Sequence, residues 1–360
     1  NPARRVDVVD HGDTPFNLRP GAAPAATVGR TRELDLIEQL LAQAVLSGGG
    51  GPISMSGRPG LGVTAVLREI ADRASSAKWA AGFSTADADL GRTIAATVNA
   101  AVERFAARRP GASRLPELRA INDRLRAERP DEPVAVRAPL LAAAEAMLDL
   151  NGGLLLAIDD SHLLGPHAVT LADIVTDIAD AGLPIVAVFG GHPAAPVGLD
   201  FVLEPLQATD IARLGAAAGV PLHPSAVAAI LDLSDGTPFL VQAFAEAALL
   251  AAPELPLGAE DVDSGRANAL EDVIEAWYRP RTSGLTGSEH RYLRAVADLG
   301  AGSVFLRDIA HRLGDTRFGG TGAHTQELTT ALVRRGLLWP DGDRVSFALP
   351  SFDSYFATYC

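Results

Sequence analysis

The run Gly57-Arg58-Pro59-Gly60-Leu61-Gly62-Val63-Thr64 constrains this chain more than any other stretch. A short apolar segment, Ile53-Ser54-Met55-Ser56, precedes it. A helix is expected after it, from about Val63 to Ala74, because Val66, Leu67, Ile70 and Ala71 keep helical spacing. Strand, glycine loop and helix in that order frame a phosphate-binding loop of the pattern G-x-x-x-x-G-K-[ST]. Its glycines let backbone N–H groups turn inward, and the helix behind offers its positive end. The lysine of the pattern reaches the phosphates, and the hydroxyl after it holds Mg²⁺. Gly57, Gly60, Gly62 and Thr64 are in place here, but the lysine position is Val63. Taken alone, the run also reads as a plain strand-to-helix turn.

A second segment gives that loop a partner. Leu154-Leu155-Leu156-Ala157-Ile158 is a continuous apolar run, the mark of a strand buried on both faces, and it ends in Asp159-Asp160. A carboxylate at the end of such a strand, beside a phosphate loop, holds the Mg²⁺ shell, and a neighbouring one can polarise the attacking water. Asp159 suits the first role and Asp160 the second. The competing reading is an aspartate capping the next helix.

The rest of the chain is organised around these two segments. Residues 1–26 mix charge, Pro and Gly without a period and read as an extended arm. From Thr31, the residues Leu34, Ile37, Leu40, Leu41 and Ala44 predict a helix, and Ser47 to Pro52 reads as a glycine-rich break. Residues 88–150 read as mostly helical, with interruptions around Arg109–Ser113 and Pro130–Pro133. A helix from about Pro166 to Ala181 leads to a second buried strand, Pro184 to Phe189. Strands alternating with helices predict an α/β fold with a parallel sheet. Residues 208–278 read as helical, and Arg279 to Gly284 as a linker. The end of the chain reads as helices at 287–299, 305–313 and 323–336, then a hairpin around Asp341-Gly342, which is the order of a winged helix.

Charge and cysteine usage narrow the function. The net charge is −13, which argues against a protein that mainly coats nucleic acid. From Thr286 onward there are eight Arg and eight acidic residues, so the whole excess lies before that point. Lys78 is the single lysine, a compositional preference for Arg that makes a Lys-to-Arg drift natural but not a valine at position 63. The single cysteine, Cys360, excludes an intrachain disulfide framework and any multi-cysteine zinc site. No apolar run reaches the ~18–20 residues of a membrane span, no secretory signal is visible, and the expected compartment is the cytoplasm. The chain starts at Asn1 rather than Met, which leaves an upstream segment open.

Four segments together resemble one family: Val28-Gly29-Arg30 before an amphipathic helix, GRPGLGVT, IDDSHLL from Ile158 to Leu164, and DGTPFLVQAF from Asp235 to Phe244. Their order and spacing are similar to the STAND branch of the AAA+ ATPases, over about residues 27–280. The last 75 residues resemble the winged-helix domain that follows such modules. The resemblance implies a P-loop NTPase core (27–204) behind the arm (1–26), a helical lid (205–284) and a winged-helix domain (285–360). It implies that Gly29 and Arg30 border a nucleotide base and that Gly57, Gly60 and Gly62 cradle phosphates. Thr64 and Asp159 serve Mg²⁺, Asp160 is the acidic partner, and Gly236 and Pro238 open a lid helix facing the nucleotide. ATP or ADP with Mg²⁺ is the implied ligand, with none required for the fold.

Two departures from the family shape the functional expectation. Val63 stands for the lysine, and Gly190-Gly191-His192 stands where relatives carry an Arg or a polar sensor. Transition-state stabilisation in phosphoryl transfer is largely electrostatic, and one preorganised donor is worth about 3–4 kcal/mol. Arg58 and His192 are the candidate substitutes. The leading expectation is therefore a nucleotide-binding switch or adaptor with little or no hydrolysis, acting on a protein partner, with oligomerisation open. A slow Mg²⁺-dependent ATPase is the second reading, and a DNA-binding regulator the third. For the third, His324, Thr325 and Gln326 would meet base edges, and Arg317, Arg334, Arg335 and Arg344 phosphates. Binding to duplex DNA is expected to be weak.

Overall fold

The computed structural model describes residues 4–5, 14–16, 18, 24–128, 133–191, 197–300, 302–317, 320–350 and 356. Its contacts divide the chain into two compact units. One comprises residues 27–57 and 62–204, and the other residues 1–26, 58–61 and 205–360.

The first unit is a five-stranded sheet with helices. Its strands are β1 (Gly50–Ser56), β2 (Ala80–Thr85), β3 (Leu154–Asp159), β4 (Ile185–Gly191) and β5 (Leu199–Val202), in the spatial order β2-β3-β4-β1-β5. Every pairing in it is parallel. Parallel strands need crossovers, and helices supply most of them: α1 (Thr31–Ser47) precedes β1, and α2 (Val63–Ser76) links β1 to β2. Between β2 and β3 lie α3 (Leu90–Arg108), α4 (Leu115–Glu128) and α5 (Pro133–Asp149), and α6 (His167–Asp180) links β3 to β4. All six residues of β3 are buried, as its unbroken apolar run requires. In α1, Leu34, Ile37, Leu41 and Ala44 turn inward and Leu40 is half-buried.

Two expectations need correction in this unit. The supposed break before Ile53 is strand: β1 begins at Gly50 and pairs with β4 from Gly50↔Ile185 onward. A Cβ on Gly50 would stand 2.1 Å from the Ile185 carbonyl oxygen, so Gly50 is there for close approach. The second correction is β2, a strand the sequence reading did not mark. Its sequence AAGFST lacks the β-branched apolar residues that signal a strand. It is held by proximity instead. A Cβ on Gly82 would lie 1.9 Å from the Thr97 carbonyl oxygen of α3, and the Ser84 and Thr97 hydroxyls share a hydrogen bond of 2.5 Å.

The second unit is mainly helical: α7 (Ala208–Ala217), α8 (Pro224–Ser234), α9 (Pro238–Ala251) and α10 (Ala259–Val273), followed by a wide turn over Ile274–Tyr278 and α11 (Arg279–Thr282). The expected linker at 279–284 is thus helical through Thr282. Arg281 holds it by donating to the Trp277 carbonyl at 3.1 Å and stacking 3.7 Å from the centre of that residue's ring. The described residues of the arm lie in this unit. Arg4–Arg5 pairs antiparallel with Glu254–Leu255, Phe16 is buried, and the Thr14 hydroxyl donates to the carboxylate of the buried Glu246 at 2.5 Å.

The chain then forms α12 (Gly287–Leu299), β6 (Val304–Phe305), α13 (Leu306–Leu313), α14 (Ala323–Arg334), β7 (Leu338–Asp341) and β8 (Arg344–Phe347). The three strands make an antiparallel sheet in the order β7-β8-β6. Thr286 and Glu289 form a reciprocal capping box at the start of α12. Here the structure corrects the base-contact expectation. Thr325 is fully buried, and its N–H and hydroxyl both donate to Asp315 Oδ2, at 2.7 and 2.8 Å. Arg335 is likewise committed, to Glu289 at 3.2 Å. His324, Gln326 and Arg334 are exposed, and the side chain of Arg317 lies outside the described residues.

Candidate nucleotide site

The loop between β1 and α2 has the backbone that its glycines permit. Gly60 (φ 88°) and Gly62 (φ 91°) occupy the left-handed region, and Gly62 caps α2. Side chains other than glycine adopt that region at a cost, so the positions are set by the turn. The Leu61 N–H donates to the Arg58 carbonyl at 3.0 Å, which tightens the tip. Arg58 itself is exposed.

Thr64 opens α2 on the side of β3. Its hydroxyl donates to Asp159 Oδ2 at 2.6 Å, while Asp159 Oδ1 accepts the Asp160 N–H at 3.0 Å. Asp159 is 5% exposed. Burial pushes its carboxyl above the usual carboxylate range, and the charge of Asp160 adds to the effect. The Thr64 hydroxyl, the Asp160 N–H and the charge of Arg68 hold it back. The two sequence-predicted Mg²⁺ residues, Thr64 and Asp159, are thus brought into direct contact from positions 95 apart. Asp160 is half-buried with φ 49° and makes no side-chain capping bond to the short helical turn that follows. The capping role that competed for it is not used.

Val63 faces the other way. It is 9% exposed, and its Cγ1 would stand 2.9 Å from a Cβ placed on Gly190; Leu67 Cδ1 would stand at 2.3 Å. The two departures from the family pattern therefore occupy one place. Apolar side chains of α2 fill the space over the end of β4, and only a glycine fits opposite them. His192 lies outside the described residues.

The remaining predicted residues fall into both units. In the first, Gly29 takes φ 68° just before α1, and Arg30 is 4% exposed, with Nη1 donating to the Gly29 carbonyl at 3.2 Å. In the second, Gly236 takes φ 66°, and Pro238 is the first residue of α9. The Phe239 N–H donates to the Gly60 carbonyl at 3.3 Å, within the same unit. Gly57 is buried at the end of β1. Sequence reasoning missed Arg68, one turn beyond Thr64 on α2. Its guanidinium stacks 4.8 Å from the centre of the Phe83 ring on β2 and acts on Asp159. Its position four residues after Thr64, on the same helix face, was the available signal.

A family model described as AAA ATPase domain matches residues 26–188. Residues 275–356 match a second model, a domain of unknown function (DUF8462). No curated protein matches the sequence. Among solved structures, the Walker-type ATPase of Pyrococcus abyssi superposes with a TM-score of 0.60 at 13% identity, covering 95% of this chain and 99% of that one. The ORC2 protein of Aeropyrum pernix, in its ADPNP-ADP complexes, superposes with a TM-score of 0.55 at 16% identity, covering 93% of each chain. At such identities the likeness is one of fold. The parallel-sheet unit shares with these structures the P-loop NTPase architecture expected from the order of strand, glycine loop and helix. No described helix is long and apolar enough to cross a membrane.

Proposed function

We propose that the protein is a nucleotide-responsive switch or adaptor of the STAND type that binds ATP or ADP and hydrolyses it little or not at all. The residues fit Mg²⁺ and nucleotide in part. Gly60 and Gly62 have the backbone of a phosphate cradle, and Thr64 and Asp159 form an oxygen pair of the kind Mg²⁺ takes. The metal, when bound, would neutralise charge on the phosphates. Asp160 would be the water-polarising acid. The observation that carries the reading is Val63: the place of the phosphate-facing cation holds a buried aliphatic side chain wedged over Gly190. Arg58 is the cation that remains in the loop, and its exposure leaves it free to approach a phosphate from outside.

In this reading the lid and the C-terminal module, proposed as a winged helix, transmit the nucleotide state to a protein partner in the cytoplasm. Duplex DNA is a poorer target, since Thr325 and Arg335 are already engaged and the module's charges cancel. A steady-state phosphate-release assay with Mg²⁺, beside calorimetric titration with ATP and ADP, tests the reading. Binding with turnover well below about 1 s⁻¹ is expected. Faster turnover that Thr64→Ala abolishes would replace the switch by a working ATPase.

A further inference from the structure

An open groove of about 720 Å³ lies along the first half of β1, away from the end that enters the phosphate loop. One wall is α1, through Leu40, Gln43, Ala44 and Ser47. The other is α6, through Val169, Ala172, Asp173 and Thr176. Both sets have the spacing i, i+3, i+4, i+7, so each helix offers one face over two turns, about 10 Å of length. The floor is formed by Gly48 and by Gly50 to Ile53, and Gly51 leaves no side chain to fill the space, since a Cβ there would meet nothing within 4 Å.

Two apolar residues lining this groove are exposed, Val169 by 43% and Leu199 by 49%. Exposed apolar residues collected in one place mark an interaction site, whereas scattered ones do not. The groove's charge is one-sided. Among the described residues Asp173 is the single charged one lining it, and α6 continues outward with Asp177, 3.9 Å from Arg137, and Asp180. Among the described residues, no basic one lines it.

We propose that this groove docks an amphipathic helix of a partner protein, with an apolar ridge lying between α1 and α6 and a Lys or Arg beside that ridge facing Asp173. The two-turn length of the walls suits anchors at i, i+3 or i+4, and i+7. The apolar residues lining it supply the burial that drives docking, and the acidic side of α6 fixes direction by charge complementarity. The groove and the phosphate loop leave opposite ends of β1, so docking does not require nucleotide.

The test uses the full-length chain and a fluorescein-labelled Leu/Lys amphipathic peptide of about four turns, read by anisotropy. A Leu/Glu peptide and a Ser/Lys peptide of equal length serve as comparisons. Saturable one-to-one binding of the Leu/Lys peptide is expected. Val169→Glu and Asp173→Lys, both at exposed positions, should each weaken it by about tenfold or more. Asp123→Lys, an equal charge change on the exposed side of α4, should leave it unchanged. Equal binding of the Ser/Lys peptide, or an equal loss in Asp123→Lys, would reduce the effect to attraction by an acidic surface and overturn the proposal. Absence of binding up to about 100 μM would do the same. So would a concentration-dependent dimer that Val169→Glu dissolves, since the occupant would then be a second copy of the chain.

Discussion

The two neighbouring residues at the start of α2, Val63 and Thr64, have had opposite fates. Thr64 keeps a polar partnership with Asp159 across 95 residues of sequence, and that carboxylate stays buried although burial disfavours its charge. One residue earlier, Val63 has joined the apolar core and left room for nothing larger than Gly190. The difference teaches that a phosphate loop has separable parts. On the proposed reading, its glycines and the oxygens of Thr64 and Asp159 persist while the place of the phosphate-facing cation goes to packing.

The largest expected effect comes from restoring the missing part. Val63→Lys cannot keep the valine's place over Gly190, so its ammonium must swing toward the loop. Charge-assisted hydrogen bonds are worth about 1.5–3 kcal/mol, and ATP affinity should rise by roughly 10- to 100-fold in calorimetric titration. The melting temperature should fall at the same time, because a buried valine is lost. Unchanged affinity would mean that the loop does not act as a phosphate cradle.

A smaller effect probes the packed side. Gly190→Ala places a methyl against Leu67 and Val63, and overpacking of this kind costs about 1–3 kcal/mol. Val63→Ala in the same chain should return part of that loss. Urea denaturation of the two single variants and the double variant measures the coupling. Strict additivity would show that the two positions do not share one space.

The smallest effect is on the polar side, and it depends on pH. The carboxyl of Asp159 is raised in the folded protein, so the folded state holds its proton more firmly than the unfolded one. The stability this group contributes is present below the ordinary carboxylate range and is lost as pH rises through the raised value. Asp159→Asn removes that handicap, because the Thr64 hydroxyl can turn round and the Asp160 N–H keeps its acceptor. In metal-free buffer, the variant should melt above the parent at pH 8, and the gap should close as pH falls toward about 4. A gap that widens in acid would contradict the assigned direction.

Much of this was legible in the sequence, for identifiable reasons. Long apolar runs and glycine spacing are local signals, so β3, β4 and the loop could be read from neighbours in the chain. The Thr64–Asp159 pairing was readable because each residue sits at a fixed place in its own motif. The strand β2 was not, because small residues bury by close approach, and closeness to α3 is not written in AAGFST. The run Gly50-Gly51-Pro52 misled for the same reason: glycine signals a break unless another backbone passes within touching distance. The link between Val63 and Gly190 was hidden, since nothing in either segment says that they meet. Arg68 looked like one more surface arginine on a helix.

The arm carries a practical consequence for anyone dissecting the protein. The AAA ATPase match begins at residue 26, and a shortened version would naturally be cut there. That cut removes the strand at Arg4–Arg5, the buried ring of Phe16 and the Thr14 hydroxyl on Glu246. The residues lost include the hydroxyl that meets Glu246 on α9 and the partner of the Glu254–Leu255 edge, so the trimmed chain leaves that strand unpaired. Poor solubility of such a fragment would report a missing cover, not a faulty nucleotide domain.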